Sequence, residues 1–388
     1  MIPLLFESPA LAATIAGLFG LLVGSFINVV ILRLPPRLEW EWRRECAEHL
    51  ADCASRASPS TSGVSPESVV SAQGTSSPTE SVSHEPADGH EPGLVESTGV
   101  RPESVPVDFS PAGSDDEVNA SSRIDAVSGL ERARLGCDQR PGCGDRTAES
   151  IDPEPPGIVF EPSHCPACGM RLKPWHNVPV LSWLALRGRC AGCGTRISAQ
   201  YPAVELLTGV AFAMVVWQFG LGWQALAGLV FTGLLIAMSG IDARTTLLPD
   251  SLTLPLLWLG LLASTQGDAD QGLFVPMDQA ILGAVVGYLA LWSVFWVFKL
   301  VTGKEGMGYG DFKLLAALGA WCGVAGLLPI VLISASLGAV VGSLWLAFKG
   351  RDHGTPIPFG PFLSFAGWVY LLWGGPIQAL YLGLVQIG

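Results

Sequence analysis

Apolar blocks alternate along the chain with short polar connectors. They fall at roughly 11–32, 203–220, 223–241, 250–265, 276–299, 312–325, 327–347 and 362–386. About 20 mostly apolar residues cross a ~30 Å hydrocarbon core, so this pattern predicts an all-α polytopic membrane protein with about eight transmembrane helices. The first block lacks the flanks of a cleaved signal peptide. Met1 to Pro9 carry no Lys or Arg, and Arg33 and Arg37 come after the block, so it is expected to stay as an anchor with its N-terminus outside. Alternating eight spans from that side places 33–202, 242–249, 300–311 and 348–361 in the cytoplasm, and every Lys and Arg then falls at or near a cytoplasmic segment.

One long stretch breaks the pattern. Between 54 and 162 the chain is dominated by Ser, Pro, Glu, Gly and Asp with no sustained period, and it offers too little apolar surface to offset its ordering entropy. Four units follow: a first transmembrane helix at 1–36, an acidic and largely disordered cytoplasmic insertion at 37–162, a small cysteine module at 163–200, and a membrane domain at 201–388. Cys46, Cys53, Cys137 and Cys143 lie in or beside the insertion at spacings that match no metal knuckle, and they read as reduced cytosolic thiols.

Composition sharpens this division. Of 388 residues 49% are hydrophobic and only 14% charged, against roughly 25% in a soluble domain. The net charge of −12 is uneven, because positions 37–163 hold 24 acidic and 10 basic residues and leave 10 acidic and 12 basic for the rest. Neither half offers the basic surface that phosphate contacts need, so no nucleic-acid partner is expected.

Three features carry chemistry. Cys165-Pro-Ala-Cys168 and Cys190-Ala-Gly-Cys193 are two C-x-x-C knuckles separated by 21 residues. Each can place two thiolates on one tetrahedral ion, and four soft thiolates select a structural zinc. The second feature is the scarcity of acids in the membrane part. Asp242 and Asp250 bracket a short cytoplasmic turn, and Asp311 closes Gly306-Met307-Gly308-Tyr309-Gly310-Asp311 before another span, with Lys313 just behind it. Two carboxylates at the cytosolic boundary can share a proton, one acting as general base on water while the other polarises a scissile carbonyl. Gly308 and Gly310 remove side chains where an extended backbone must approach. A purely structural alternative makes Asp311 a helix N-cap and pairs Asp242 with Arg244. The third feature is polar: Ser25 and Asn28 in the first span, and Glu205 at the start of the second, suit either helix packing or a ligand site.

Together the blocks GSFINVVILRLP (24–35), the CPAC and CAGC knuckles, YPAVELLTG (201–209), IDARTTLLPD (241–250) and GMGYGDFKLLAALGAW (306–321) resemble the bifunctional prepilin leader peptidase/N-methyltransferase family of GxGD membrane aspartyl proteases. The resemblance covers about two-thirds of the chain, and the length of 37–163 departs from it. It implies a bacterial inner-membrane enzyme of type IV pilus and type II secretion systems, with its active site facing the cytoplasm and residues 201–388 as its aspartyl protease domain. Asp242 and Asp311 would be the catalytic pair, with Asp250, Gly308, Gly310 and Lys313 as neighbours. The substrates would be prepilins or pseudopilins, cut after a Gly at the junction between a basic cytosolic leader and an apolar segment that lies in the bilayer. S-adenosylmethionine would then methylate the new N-terminal residue, with Glu205, Asn28 and Ser25 as candidates for that step and the zinc module associated with it. Two other readings stay open: a peptidase without methyltransferase activity, and a membrane transporter or scaffold whose zinc module recruits a partner.

Overall fold

The computed structural model describes residues 8–57, 153–158, 161, 164–165, 167–171, 178–267, 272–303, 308–349 and 358–387. Among these, regular structure is helical, apart from the isolated antiparallel bridges His164–Arg171 and Arg189–Arg196. The helices are α1 (Pro9–Ala57), the short α2 (Leu181–Ala185), α3 (Gln200–Phe219), α4 (Trp223–Thr245), α5 (Asp250–Ser264), α6 (Met277–Thr302), α7 (Tyr309–Lys349) and α8 (Gly360–Ile387). The chain divides into two compact units, one of Met1–Trp42 with Asp152–Gly388 and one of Arg43–Ile151. Most of the acidic stretch lies outside the described residues.

Among the described residues, five helices are long and apolar enough to cross a membrane: Pro9–His49, Gln200–Phe219, Trp223–Thr245, Met277–Thr302 and Tyr309–Leu344. Asp250–Ser264 is a shorter apolar helix. Their outer faces fit lipid rather than water. Leu22, Trp217 and Val297 are each 60% or more exposed although wholly apolar, and a continuous apolar surface of that extent suits hydrocarbon.

Lipid is as apolar as Leu, so helices inside a bilayer associate through close contact, which small residues permit. Two crossings are built that way. Gly20 and Gly24 of α1 lie against α3, where a Cβ on Gly20 would come within 2.8 Å of the Thr208 carbonyl and one on Gly24 within 2.7 Å of the Glu205 Cα. Gly283 of α6 meets Gly319 of α7 backbone to backbone. Between the crossings sits an aromatic core. Trp321 packs on Phe231 with ring centroids 4.8 Å apart and donates to the Leu256 carbonyl at 2.8 Å, so α4, α5 and α7 share one buried ring.

Two elements differ from the apolar pattern. α1 runs through Pro35 and Pro36 to Ala57, so position 36 falls inside a helix rather than at its end. An interior proline loses an i→i−4 hydrogen bond and crowds the carbonyl of the preceding turn, and another stretch of chain braces this part of the helix: Arg33 donates to the Gly157 carbonyl at 2.6 Å, and Arg37 pairs with Glu154 at 3.1 Å. Cys46 is disulfide-bonded, which corrects its reading as a reduced thiol; the side chains of Cys53, Cys137 and Cys143 lie outside the described residues. In α7 the blocks at 312–325 and 327–347 merge across Gly323, whose φ of 69° and ψ of 178° interrupt the helix.

The Gly283–Gly319 crossing predicts that Gly319→Leu costs about 1–3 kcal/mol of stability by overpacking. Gly375→Ala, where a Cβ meets open space, should leave stability unchanged. Thermal unfolding of the purified protein in detergent measures both.

Candidate active site

Asp242 lies in the last turn of α4 and Asp311 in the first turn of α7. Both are buried, at 5% and 8% exposure, and Asp311 feels the Asp242 charge directly. Asp242 Oδ2 accepts a hydrogen bond from the Gly360 amide at 2.9 Å. Gly360 opens α8, so this carboxylate satisfies one of the unpaired amides that every helix start presents and sits at the positive end of the helix dipole. A side chain at 360 would place its Cβ 2.6 Å from the same oxygen, so glycine is required for the contact.

The structural alternative for this pair does not match the geometry. Arg244 turns to Gln200 Oε1 at 2.8 Å rather than to Asp242. Asp311 is the third residue of α7, inside the helix rather than capping it, and among the described residues its carboxylate accepts no hydrogen bond. Leu248 fills the space between the two blocks, since a Cβ on Gly310 would lie 2.7 Å from its Cβ and one on Gly360 3.3 Å from its Cδ1. Gly308 meets nothing within 4 Å. Of the two glycines, Gly310 is thus needed for packing and Gly308 leaves open space before Asp311.

Asp250 and Lys313 also come together. Lys313 Nζ reaches both carboxylate oxygens of Asp250 at 2.6 and 2.7 Å, joining the start of α5 to the start of α7. The pair is partly exposed, so it contributes little stability, but it fixes Asp311's helix against the turn that follows Asp242.

All four knuckle sulfurs lie within 4.8 Å of one another. The knuckles repeat one geometry. Gly169 donates to the Cys165 carbonyl at 2.8 Å and Gly194 to the Cys190 carbonyl at 3.0 Å, and both glycines adopt positive φ, 69° and 72°. The Thr195 hydroxyl and amide hold the Cys193 thiol down, to about 6. The Ala167 and Cys168 amides lower Cys165. Cys168, against the pull of the Met170 amide, is pushed up to about 11 by desolvation and the sulfurs beside it. Four thiolates this close repel one another unless a cation sits among them, and the all-sulfur donor set suits a soft divalent ion.

A separate polar cluster lies where α1 meets α3. Glu205, 7% exposed, accepts from the Val180 amide at 2.7 Å, with Ser25 beside the same carboxylate. Val180 holds a φ of 57°, unusual for a β-branched residue, so the carboxylate fixes a strained turn in the segment between the knuckles. Asn28 donates to the Tyr201 carbonyl at 3.0 Å, while its Oδ1 is buried with no partner among the described residues.

Comparison with known proteins agrees with this geometry. Residues 18–219 match the Bacterial Peptidase A24 N-terminal domain, and residues 229–343 match the Type IV leader peptidase family. This chain belongs to the type IV leader peptidase family. A prepilin leader peptidase/N-methyltransferase of Xanthomonas campestris is 43% identical over 97% of the chain and 96% of its own length. Proteins of the same name from Pseudomonas putida and Stutzerimonas stutzeri are 38% and 54% identical, over 96% and 60% of the chain and 94% and 81% of their own lengths. No solved structure matches.

In this leader peptidase, sequence reasoning missed Gly360, Leu248 and Val180. Gly360 and Leu248 touch the carboxylate site and Val180 the Glu205 site through contacts distant in sequence. The only local signal was the Pro-Phe-Gly-Pro run at 358–361, which marks a turn before the last apolar block. Replacing Glu205 by Leu should release the Val180 amide. Amide hydrogen exchange across 178–186 should then speed up by about 10–100-fold, equivalent to the roughly 1–3 kcal/mol of an unpaired buried group, whereas Glu205→Gln retains an acceptor and most of the protection.

Proposed function

We propose that this enzyme cleaves the leader from prepilins or pseudopilins and N-methylates the new N-terminal residue, using Asp242 and Asp311 for the cleavage. The observation that carries the reading is the buried carboxylate pair, with one member held by a helix-start amide and the other without a hydrogen bond among the described residues, inside a chain of this family. The names of the relatives from Xanthomonas campestris and Pseudomonas putida, matched along nearly their whole length, support both activities.

Two carboxylates in electrostatic contact do not both ionise cheaply, so they hold one proton between them. The Gly360 amide makes Asp242 the better seat for the charge, and Asp311 keeps the proton. A water beside Asp242 gives up its proton to that carboxylate as it attacks the scissile carbonyl, while Asp311 donates a hydrogen bond to the carbonyl oxygen. The tetrahedral carbon then collapses, and the proton on Asp242 passes to the leaving amine. Leu248 and the aromatic core keep bulk water from the pair, and the open space at Gly308 admits the substrate backbone in extended form. Asp250 and Lys313 position the two helix starts without touching the reacting atoms.

Eight crossings of a bacterial inner membrane, with the acid pair facing the cytoplasm, complete the reading. Gly323 supports the division of α7 into two spans, because it lies beside Val275 and Gln279, at the same end of the bundle as the start of α6. Zinc fits the four cysteines and would hold the two knuckles together. S-adenosylmethionine supplies the methyl group, and the Ser25, Asn28 and Glu205 cluster, joined to the zinc module through Val180, is where the chain would place it. The acidic insertion is read as dispensable to both activities.

Asp242→Asn and Asp311→Asn should each reduce cleavage of a purified prepilin by about 10³-fold or more, since neither can replace a proton-carrying carboxylate, with thermal unfolding unchanged. Wild-type cleavage by either variant refutes that residue's role. Cys190→Ser should reduce methylation, read as the ~14 Da increment on the mature N-terminus, more than it reduces cleavage; equal loss of both indicates a global folding role for the module.

A further inference from the structure

The bundle carries a cavity of about 370 Å³ between α3, α4 and α8. Its walls are apolar, formed chiefly by Val204, Leu207, Leu235, Ile236, Phe365 and Trp368. Leu207 and Phe365, each more than half exposed, flank the mouth, so the cavity opens toward the lipid face. One end reaches the candidate active site. Gly240, two residues before Asp242, and Pro361, next to Gly360, both line it, and Asp242 and Gly360 are the residues joined by the 2.9 Å hydrogen bond. From Gly240 back to Thr232 the groove follows α4 for about 12 Å at 1.5 Å per residue.

Among the described residues, the wall holds one buried polar atom without a partner. Ser364 is 2% exposed and lines the groove, and its Oγ has no hydrogen-bond partner among the described residues. Neighbouring hydroxyls behave differently: Thr208 returns to the Val204 carbonyl at 2.7 Å and Thr232 to the Gly228 carbonyl at 2.6 Å, as hydroxyls in apolar helices commonly do. A lipid acyl chain would fill the space but has no donor or acceptor to offer Ser364. The start of a peptide helix has both the apolar side chains and the need, because its first amides lack partners of their own and no water is present to serve them.

We propose that this groove receives the apolar helical segment of the prepilin that begins just beyond the scissile bond, with Ser364 Oγ accepting from an unpaired amide in that segment's first turn. The proposal rests on the prepilin peptidase reading and extends it by placing the substrate on the α3, α4 and α8 side of Asp242. The cavity takes one face of the segment, and lipid covers the other. The scissile bond then falls at the groove's closed end, and the depth of the groove sets which bond is cut.

The test places the photoreactive residue p-benzoylphenylalanine at Leu207, at Phe365 or, as a control, at Val297 on the lipid-facing side of α6, in the full chain reconstituted into phosphatidylethanolamine and phosphatidylglycerol vesicles with a purified prepilin. Cleavage is measured in the same vesicles. Irradiation should join positions 207 and 365 to prepilin residues within about the first ten after the cleavage site, the reach of a groove this long, with no prepilin adduct at 297. Cleavage that proceeds while 207 and 365 capture only lipid, or while 297 captures prepilin equally, overturns the groove and leaves the peptidase reading intact. No cleavage by the wild-type chain overturns both. Leu207→Trp supplies an independent measure. It should raise KM for prepilin by about tenfold with kcat within about threefold, the pattern of lost uniform binding, and an unchanged KM counts against the groove.

Discussion

The hydrogen bond from the Gly360 amide to Asp242 is the constraint on which the rest of the site depends. It joins the end of α4 to the start of α8 across 118 positions of sequence and brings a carboxylate into a wall that is otherwise almost free of charge. A buried carboxylate without a partner is costly, and a helix start is among the few places in an apolar bundle where an unused donor and a favourable dipole coincide. The bond also dictates its surroundings. Glycine must occupy 360, Leu248 must fill the space beside it, and Gly310 must yield to Leu248. Asp311 is set against Asp242 by that sequence of contacts, without any bond between the two acids.

Such a site needs helices that do not slide, and the bundle achieves this with small residues rather than with charge. At Gly283 and Gly319 the backbones touch, and at Gly20 and Gly24 the first helix lies directly on the backbone of the second span, at the Thr208 carbonyl and the Glu205 Cα. Each crossing fixes a register, because moving one helix along the other would bring a larger side chain into a gap that admits none. Trp321 performs the same task in the interior, since its ring and its indole donor tie three helices at one point. The Lys313–Asp250 pair adds little energy at its exposed position but aligns two helix starts that the apolar contacts leave free to rotate.

Much of this was legible from residue types, and the limit of legibility has a physical cause. The doubled C-x-x-C spacing predicted a cluster, and the sulfurs do converge, because two local turns need only meet once. Scarcity of acids pointed to Asp242 and Asp311, which the fold brings together. Equivalent-looking residues nevertheless separated. Gly308 and Gly310 have the same local context, yet only Gly310 packs against a neighbour, since Gly310 lies in the first turn of α7 against Leu248 and Gly308 precedes the helix. Glu205 was ambiguous between a packing residue and a ligand, and its Val180 contact shows why: the amide comes from a segment 25 residues away that has no periodicity to announce it. The first transmembrane helix was bounded at 36 by the end of its apolar block, whereas α1 continues through Pro35 and Pro36, where Gly157 and Glu154 contact Arg33 and Arg37. Cys46 is disulfide-bonded, and no spacing rule connects it to a partner.

The placement of α3 relates the two proposed chemistries. Its second turn carries Glu205, which holds the segment between the cysteine knuckles through Val180. Val204 and Leu207, on either side of Glu205 in sequence, line the groove that ends at Asp242. One helix therefore borders both the route of the apolar substrate segment and the attachment of the cysteine module. A substrate whose helix stays in the groove after cleavage leaves its new amine at the closed end, near the start of α3, without first crossing the bilayer or dissociating. Cleavage and methylation then become two events at one seated helix, and the binding energy gained from burying that apolar segment serves both.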